Sequence, residues 1–118
     1  MKRDIELVRK ILLEIESKDE PDGWIFPELE GYSEEEVNYH IKIMAEAGLI
    51  EARDLSTMNT FEWAAINLTW EGHEFLDASR NDTIWKKSKS IIKDKLGSVS
   101  FEVLKSLLIK TTAAHLGL

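Results

Sequence analysis

Three histidines and a surplus of carboxylates are the side chains here best suited to acid–base or metal chemistry. His40 follows Glu36 by four residues and His73 precedes Asp77 by four, so on a helix each imidazole shares a face with a carboxylate. Such a pair can relay a proton or offer two ligands to a metal. A zinc helix needs paired histidines, however, and His73-Glu74-Phe75-Leu76-Asp77 has one. The expectation for His40 and His73 is a side chain hydrogen-bonded to a local acid or packed at the core edge. His115, in a Thr-Ala-Ala context, carries less information still. The sequence has no glycine-rich phosphate loop and no nucleophile elbow. With no cysteine, disulfides and thiolate metal sites are excluded. No catalytic residue, metal or cofactor is assigned, and the chain is expected not to be an enzyme.

Charge points to a different use. The net charge of −7 argues against nucleic acid as a partner. Residues 1–84 carry 8 Lys+Arg against 20 Asp+Glu, whereas residues 85–118 carry 7 against 2. An acidic body is thus joined to a basic tail, which permits either a basic binding surface or docking of the tail on an acidic neighbour. The candidate basic contact is Lys86, Lys87, Lys89 and Lys93; an amphipathic helix with a solvated charged face accounts for them equally.

The tryptophans Trp24, Trp63, Trp70 and Trp85 lie in apolar stripes or runs and read as core or interface residues. The triplets Asn67-Leu68-Thr69 and Asn81-Asp82-Thr83 are formal glycosylation sites. No uninterrupted apolar leader and no membrane-length apolar window is present, so a cytoplasmic chain without a membrane partner is expected.

These residues must be positioned by elements that the hydrophobic spacing makes visible. Ile5, Val8, Leu12 and Ile15, with Leu7 and Ile11 beside them, predict a helix over 3–18. Asp19-Glu20-Pro21-Asp22-Gly23 ends it, and Trp24-Ile25-Phe26 suits a short strand closed by Pro27. Ser33-Glu34-Glu35-Glu36 forms a capping box for a helix whose inward stripe is Val37, Ile41 and Met44. Gly48 and Leu49 provide a Schellman ending. Two strands, 49–55 and 62–68, flank the loop Ser56-Thr57-Met58-Asn59-Thr60-Phe61, whose tip is apolar and whose only nearby cation is Arg53. Thr69 caps a helix over 70–80 with Gly72 an early weak spot, and Asn81 or Asp82 caps another over 83–96, ended by Gly97. The latter's broad apolar face is Ile84, Ile91, Trp85, Ile92 and Leu96. Ser100 caps the last helix, with Phe101, Leu104 and Leu108 as its main stripe.

Helix, short strand, capped helix ending in Ala47-Gly48-Leu49-Ile50, hairpin, then Leu68-Thr69-Trp70-Glu71-Gly72: this order over residues 3–80 resembles the winged helix-turn-helix superfamily. A nearer similarity is carried by Met1-Lys2-Arg3-Asp4, by Gly31-Tyr32-Ser33 through His40, by Leu68 through Asp77, and by Gly97-Ser98-Val99-Ser100-Phe101. These stretches are similar to a family of bacterial and phage genomes, domain of unknown function 2513, which implies a prophage context but no activity. The resemblance implies an α+β, mostly helical fold: a winged-helix core over 1–80 with a small hairpin wing, then two extra helices over 81–118. It also implies that the helix at 34–47 is the recognition helix, with Glu35, Asn38, Tyr39, Lys42 and Glu46 on its solvent face. Asn38 and Lys42 are types that read bases or hold phosphates. One lysine among four glutamates nevertheless lacks the cations that give DNA affinity. Only Pro27-Glu28-Leu29-Glu30-Gly31 stands where a helix normally packs ahead of that helix, room for a turn at most.

A non-catalytic protein-interaction module follows, with Phe101, Leu104 and Leu108 as the expected homodimer contact. The alternative is a DNA-binding regulator using helix 34–47, the wing and the basic 86–95 segment.

Overall fold

The computed structural model describes residues 1–93 and 100–117. Among them the elements run α1 (Ile5–Glu16), α2 (Glu34–Glu46), β1 (Ile50–Asp54), β2 (Trp63–Leu68), α3 (Trp70–Ser79), α4 (Asp82–Ile91) and α5 (Phe101–His115). The fold is α+β and mostly helical, with one antiparallel hairpin and two helices beyond α3, a winged-helix-like layout as expected. The chain forms two compact units, residues 1–73 and 74–118; the division falls inside α3, ahead of residue 80. Leu96 and Gly97, expected to finish helix 83–96, lie outside the described residues, as do Asp94 and Lys95.

Local side-chain chemistry sets most element ends in the first unit. Asp4 Oδ1 accepts from the Glu6 and Leu7 amides and starts α1. The Ser33–Glu36 capping box forms in both directions at 3.1 Å, satisfying two amides that the first turn of α2 would otherwise leave bare. At the far end Gly48 takes φ +78°, and the Gly48 and Leu49 amides donate to Ala45 and Met44, the two bonds of a Schellman ending. The core is Leu7, Val8, Ile11, Leu12 and Ile15 of α1 against Val37, Ile41 and Met44 of α2 and Ala64, Ala65 and Ile66 of β2. Each fully buried aliphatic side chain contributes about 1.5–3 kcal/mol.

The hairpin pairs Ile50 with Leu68 and Glu51 with Asn67, then skips to Ala52 with Ala65. The extra residue is Ile66, at a β-bulge. Lys18, just past α1, donates to the Ile66 carbonyl, to the Gly23 carbonyl at 2.7 Å and to Asn67 Oδ1 at 3.1 Å. One ammonium thereby ties the end of α1, the 19–23 turn and the bulge. The strand expected at Trp24-Ile25-Phe26 reduces to a single bridge, Ile25 to Ala65, because Pro27 cannot extend the ladder.

Thr69 joins two elements. Its Oγ1 donates to the Gly48 carbonyl at 2.6 Å and accepts from the Gly72 amide, while its own amide donates to the Leu49 carbonyl. Gly72 is no weak spot. A Cβ at that position would lie 2.0 Å from the Leu49 carbonyl oxygen, so the close approach of backbone requires glycine.

In the second unit α4 and α5 pack together. Asn81 caps α4 through the Ile84 amide, and Ser100 caps α5 through the Val103 amide. Phe75, Leu76, Ile84, Trp85, Ile92, Leu104 and Leu108 are buried. Phe75 meets Trp85 edge-on at 6.3 Å and Phe101 at 4.2 Å between centroids. Ser88 is buried and donates to Thr111 Oγ1 at 3.3 Å, a polar link between the helices that periodicity did not reveal.

Candidate functional site

Of the face that the superfamily resemblance assigns to α2, the structure leaves Glu35, Tyr39, Lys42 and Glu46 at the surface and turns Asn38 inward. Asn38 is 7% exposed, and its Oδ1 accepts from the Trp63 backbone amide at 2.9 Å. It anchors α2 to the first residue of β2, in the packing of the unit and off the solvent face. Glu35 and Glu46 are exposed, and Tyr39 is half-buried with its ring edge-on to His40 at 5.9 Å. Lys42 donates to Glu46 at 2.8 Å, and that hydrogen bond, with the Glu46 charge, raises the lysine pKa above its ordinary value. The helix's one cation is thus held by a carboxylate one turn away.

His40 sits nearly sealed in unit 1. Nδ1 lies 2.8 Å from the Glu36 carbonyl oxygen, and Nε2 accepts from the Asp4 amide at 2.9 Å. An amide can only donate, so Nδ1 carries the proton and donates to Glu36. The expected local acid is replaced by main-chain partners, and both ring nitrogens are occupied. His73 is exposed, and Asp77 pairs instead with Arg80 at 3.0 Å. His115 is exposed in the last turn of α5. Among the described residues no three His, Cys, Asp or Glu side chains stand together to hold a metal ion.

Leu104 and Leu108, expected at a dimer contact, are 1% and 0% exposed inside the second unit, and Phe101 leans on Phe75. Packing of α4 on α5 places Leu104 and Leu108 in the core of this unit, while Phe101 stays partly exposed. Lys86, Lys87 and Lys93 are exposed, whereas Lys89 lies over the Trp85 ring at 5.8 Å. Trp85 is buried, but Trp24 and Trp70 are exposed and not core residues. Trp70 falls off the stripe Gly72, Phe75, Leu76 and Ser79 that α3 buries. Asn67 binds Asp22 and Lys18, and Asn81 is a helix cap, so both sequon side chains have structural roles.

The described surface of unit 1 instead offers a groove of about 460 Å³ between residues 26–32, α2 and the start of β2. Phe26, Pro27, Leu29, Val37, Ile41 and Trp63 supply its apolar lining. Glu28, Glu30, Glu34 and Glu62 bring carboxylates, with Tyr32 and Asn38 completing the wall. No helix forms over 27–31; a turn closed by the Tyr32 amide on the Leu29 carbonyl runs there, with Gly31 at φ +87°. Burial, and then the Asp4 and Glu6 charges, raise the Tyr32 phenol above its ordinary pKa. The Lys10 ammonium lies 5.4 Å from the centre of that ring. Scattered over positions 26–63, the groove carries no local motif by which sequence could have announced it.

Large apolar side chains are also exposed on this unit. Trp24 and Phe26, flanking Ile25, are each 50% exposed, and Phe61 and the wholly exposed Met58 tip the hairpin. The Asp54 carboxylate accepts from the Ser56 amide at the base of the tip, which lowers its pKa.

Hairpin, capped helices and groove define an α+β domain of winged-helix-like layout. The chain belongs to the family described as "Hypothetical protein (DUF2513)", which matches residues 2–98. It is also 44% identical over 108 residues to a Haemophilus influenzae protein described as uncharacterized, covering 91% of this chain and 92% of that one. No solved structure matches. No helix among the described residues is long and apolar enough to cross a membrane.

Proposed function

We propose that this chain is a non-catalytic protein-interaction module on a winged helix-turn-helix scaffold, working in the cytoplasm and of prophage origin. The observation that carries the reading is the exposure of Trp24, Phe26, Met58 and Phe61 on an acidic unit. Residues 1–73 hold 7 Lys+Arg against 17 Asp+Glu, a net −10, which repels nucleic acid, while exposed large apolar residues favour a protein contact. The absence of cysteine suits a reducing compartment. The partner is a second copy or another protein.

Photo-crosslinking from Met58 and Phe26 in the native host, read by mass spectrometry, tests the reading. Protein adducts at these positions support it; adducts to nucleic acid, or none, overturn it. A strictly monomeric mass in solution at high concentration removes self-association alone.

The second reading, a DNA-binding regulator, draws on the exposed Lys86, Lys87 and Lys93. Phosphate contacts are strongest at low salt, so absence of a mobility shift at about 50 mM salt ends it.

A further inference from the structure

We infer that the groove of the first unit binds a basic, partly apolar segment of a partner protein. An apolar side chain of that segment sits on the floor, and flanking lysine or arginine side chains meet the rim. The inference rests on the reading of the chain as a protein-interaction module, and adds to it a surface and a partner chemistry.

Phe26, half exposed, and the partly exposed Leu29 and Trp63 give the groove an apolar surface above the buried Val37 and Ile41. About 460 Å³ is room for one or two large side chains and their backbone, not for a folded domain. Glu28, Glu30, Glu34 and Glu62 surround that surface, and among the described residues no lysine or arginine lines the groove. Four carboxylates give the groove a negative rim, which favours an entering cation and disfavours an entering phosphate or acidic peptide.

Apolar lining and acidic rim are complementary to the same object, a basic peptide with an apolar anchor.

The test titrates three synthetic peptides into the full chain: lysine–leucine, lysine–serine and glutamate–leucine, of equal length. The Trp63 indole resonance and the Met58 methyl are followed by NMR. The Trp63 signal is identified by its loss in Trp63→Phe, or by elimination through Trp24→Phe, Trp70→Phe and Trp85→Phe if that variant does not fold. The lysine–leucine peptide is expected to shift Trp63 saturably, about tenfold more tightly than lysine–serine, with no response to glutamate–leucine. E28Q/E30Q/E62Q weakens binding about tenfold, as three partly screened ion pairs should, whereas E14Q/D19N/E51Q, which removes equal charge elsewhere, leaves it within twofold. Equal losses in the two variants would mean diffuse attraction and overturn the groove. A still Trp63 with a shifting Met58 also overturns it, leaving the interaction reading on the wing tip. No response at either residue, with no protein crosslinks in the host, overturns both.

Discussion

The side chain of Asn38 accepts a hydrogen bond from the backbone amide of Trp63, 25 residues later in the chain. That contact removes from the α2 surface the residue type best suited to read adenine, and uses it to hold the hairpin on the helix. Asn38→Leu leaves the Trp63 amide without an acceptor and should cost about 1–3 kcal/mol in urea unfolding. A residue free to meet DNA would show less than about 0.5 kcal/mol.

Leu108 provides the corresponding check on the second unit. Buried against its own chain, Leu108→Ala should destabilise by about 2–5 kcal/mol, independent of protein concentration. A residue at a dimer contact would give a loss that grows on dilution.

Gly72 tests whether close packing outweighs propensity. Glycine to alanine within a helix normally gains about 1 kcal/mol. Here the added Cβ meets the Leu49 carbonyl, which is backbone and cannot turn aside, so Gly72→Ala should lose about 3 kcal/mol in thermal or urea unfolding. A gain in stability would refute the contact.

His40 is expected to be structural in the same sense. His40→Leu keeps the bulk but strands the Asp4 amide, and should cost about 1–3 kcal/mol. Hydrogen exchange at Asp4 is the direct readout: the amide, slow in the parent chain, should exchange freely in the variant.

The pH response of the groove wall can be read at Tyr32. Burial and the Asp4 charge keep its proton on above the usual value near 10. A raised folded pKa means that this group's contribution to stability is complete below the unfolded value and declines as pH rises through the folded one. Phenolate absorbance in Tyr39→Phe, which isolates Tyr32, should therefore rise later than for a free tyrosine. Asp4→Asn preserves the α1 cap and should bring the titration part of the way back. An ordinary or early titration would remove the claimed burial.

Features written within three or four residues were legible from sequence. The Ser33–Glu36 box, the Gly48 ending, the Ser100 and Asn81 caps and the α1 stripe all follow from local hydrogen bonds or helical spacing. What sequence did not convey depends on partners far along the chain. Periodicity identifies Leu104 and Leu108 as a covered face but not what covers it, and only the packing of α4 on α5 decides. Asn38 turns inward because of an amide in a strand, and Gly72 is needed because of a carbonyl at Leu49. The groove was least legible, since its carboxylates at 28, 30, 34 and 62 converge only once the segment after Pro27 fails to form a helix.

The Thr69 junction has a consequence for how this scaffold can vary. By clasping the Gly48 and Leu49 carbonyls it closes a ring of chain at the root of the hairpin, so everything from 50 to 68 leaves and returns through one fixed doorway. The tip at 56–61 can then be lengthened or exchanged as a cassette. Each doubling of a flexible loop costs only about 0.6 kcal/mol, and the helices beneath need not register the change. Lineages sharing this architecture can vary the hairpin tip while inheriting the same frame.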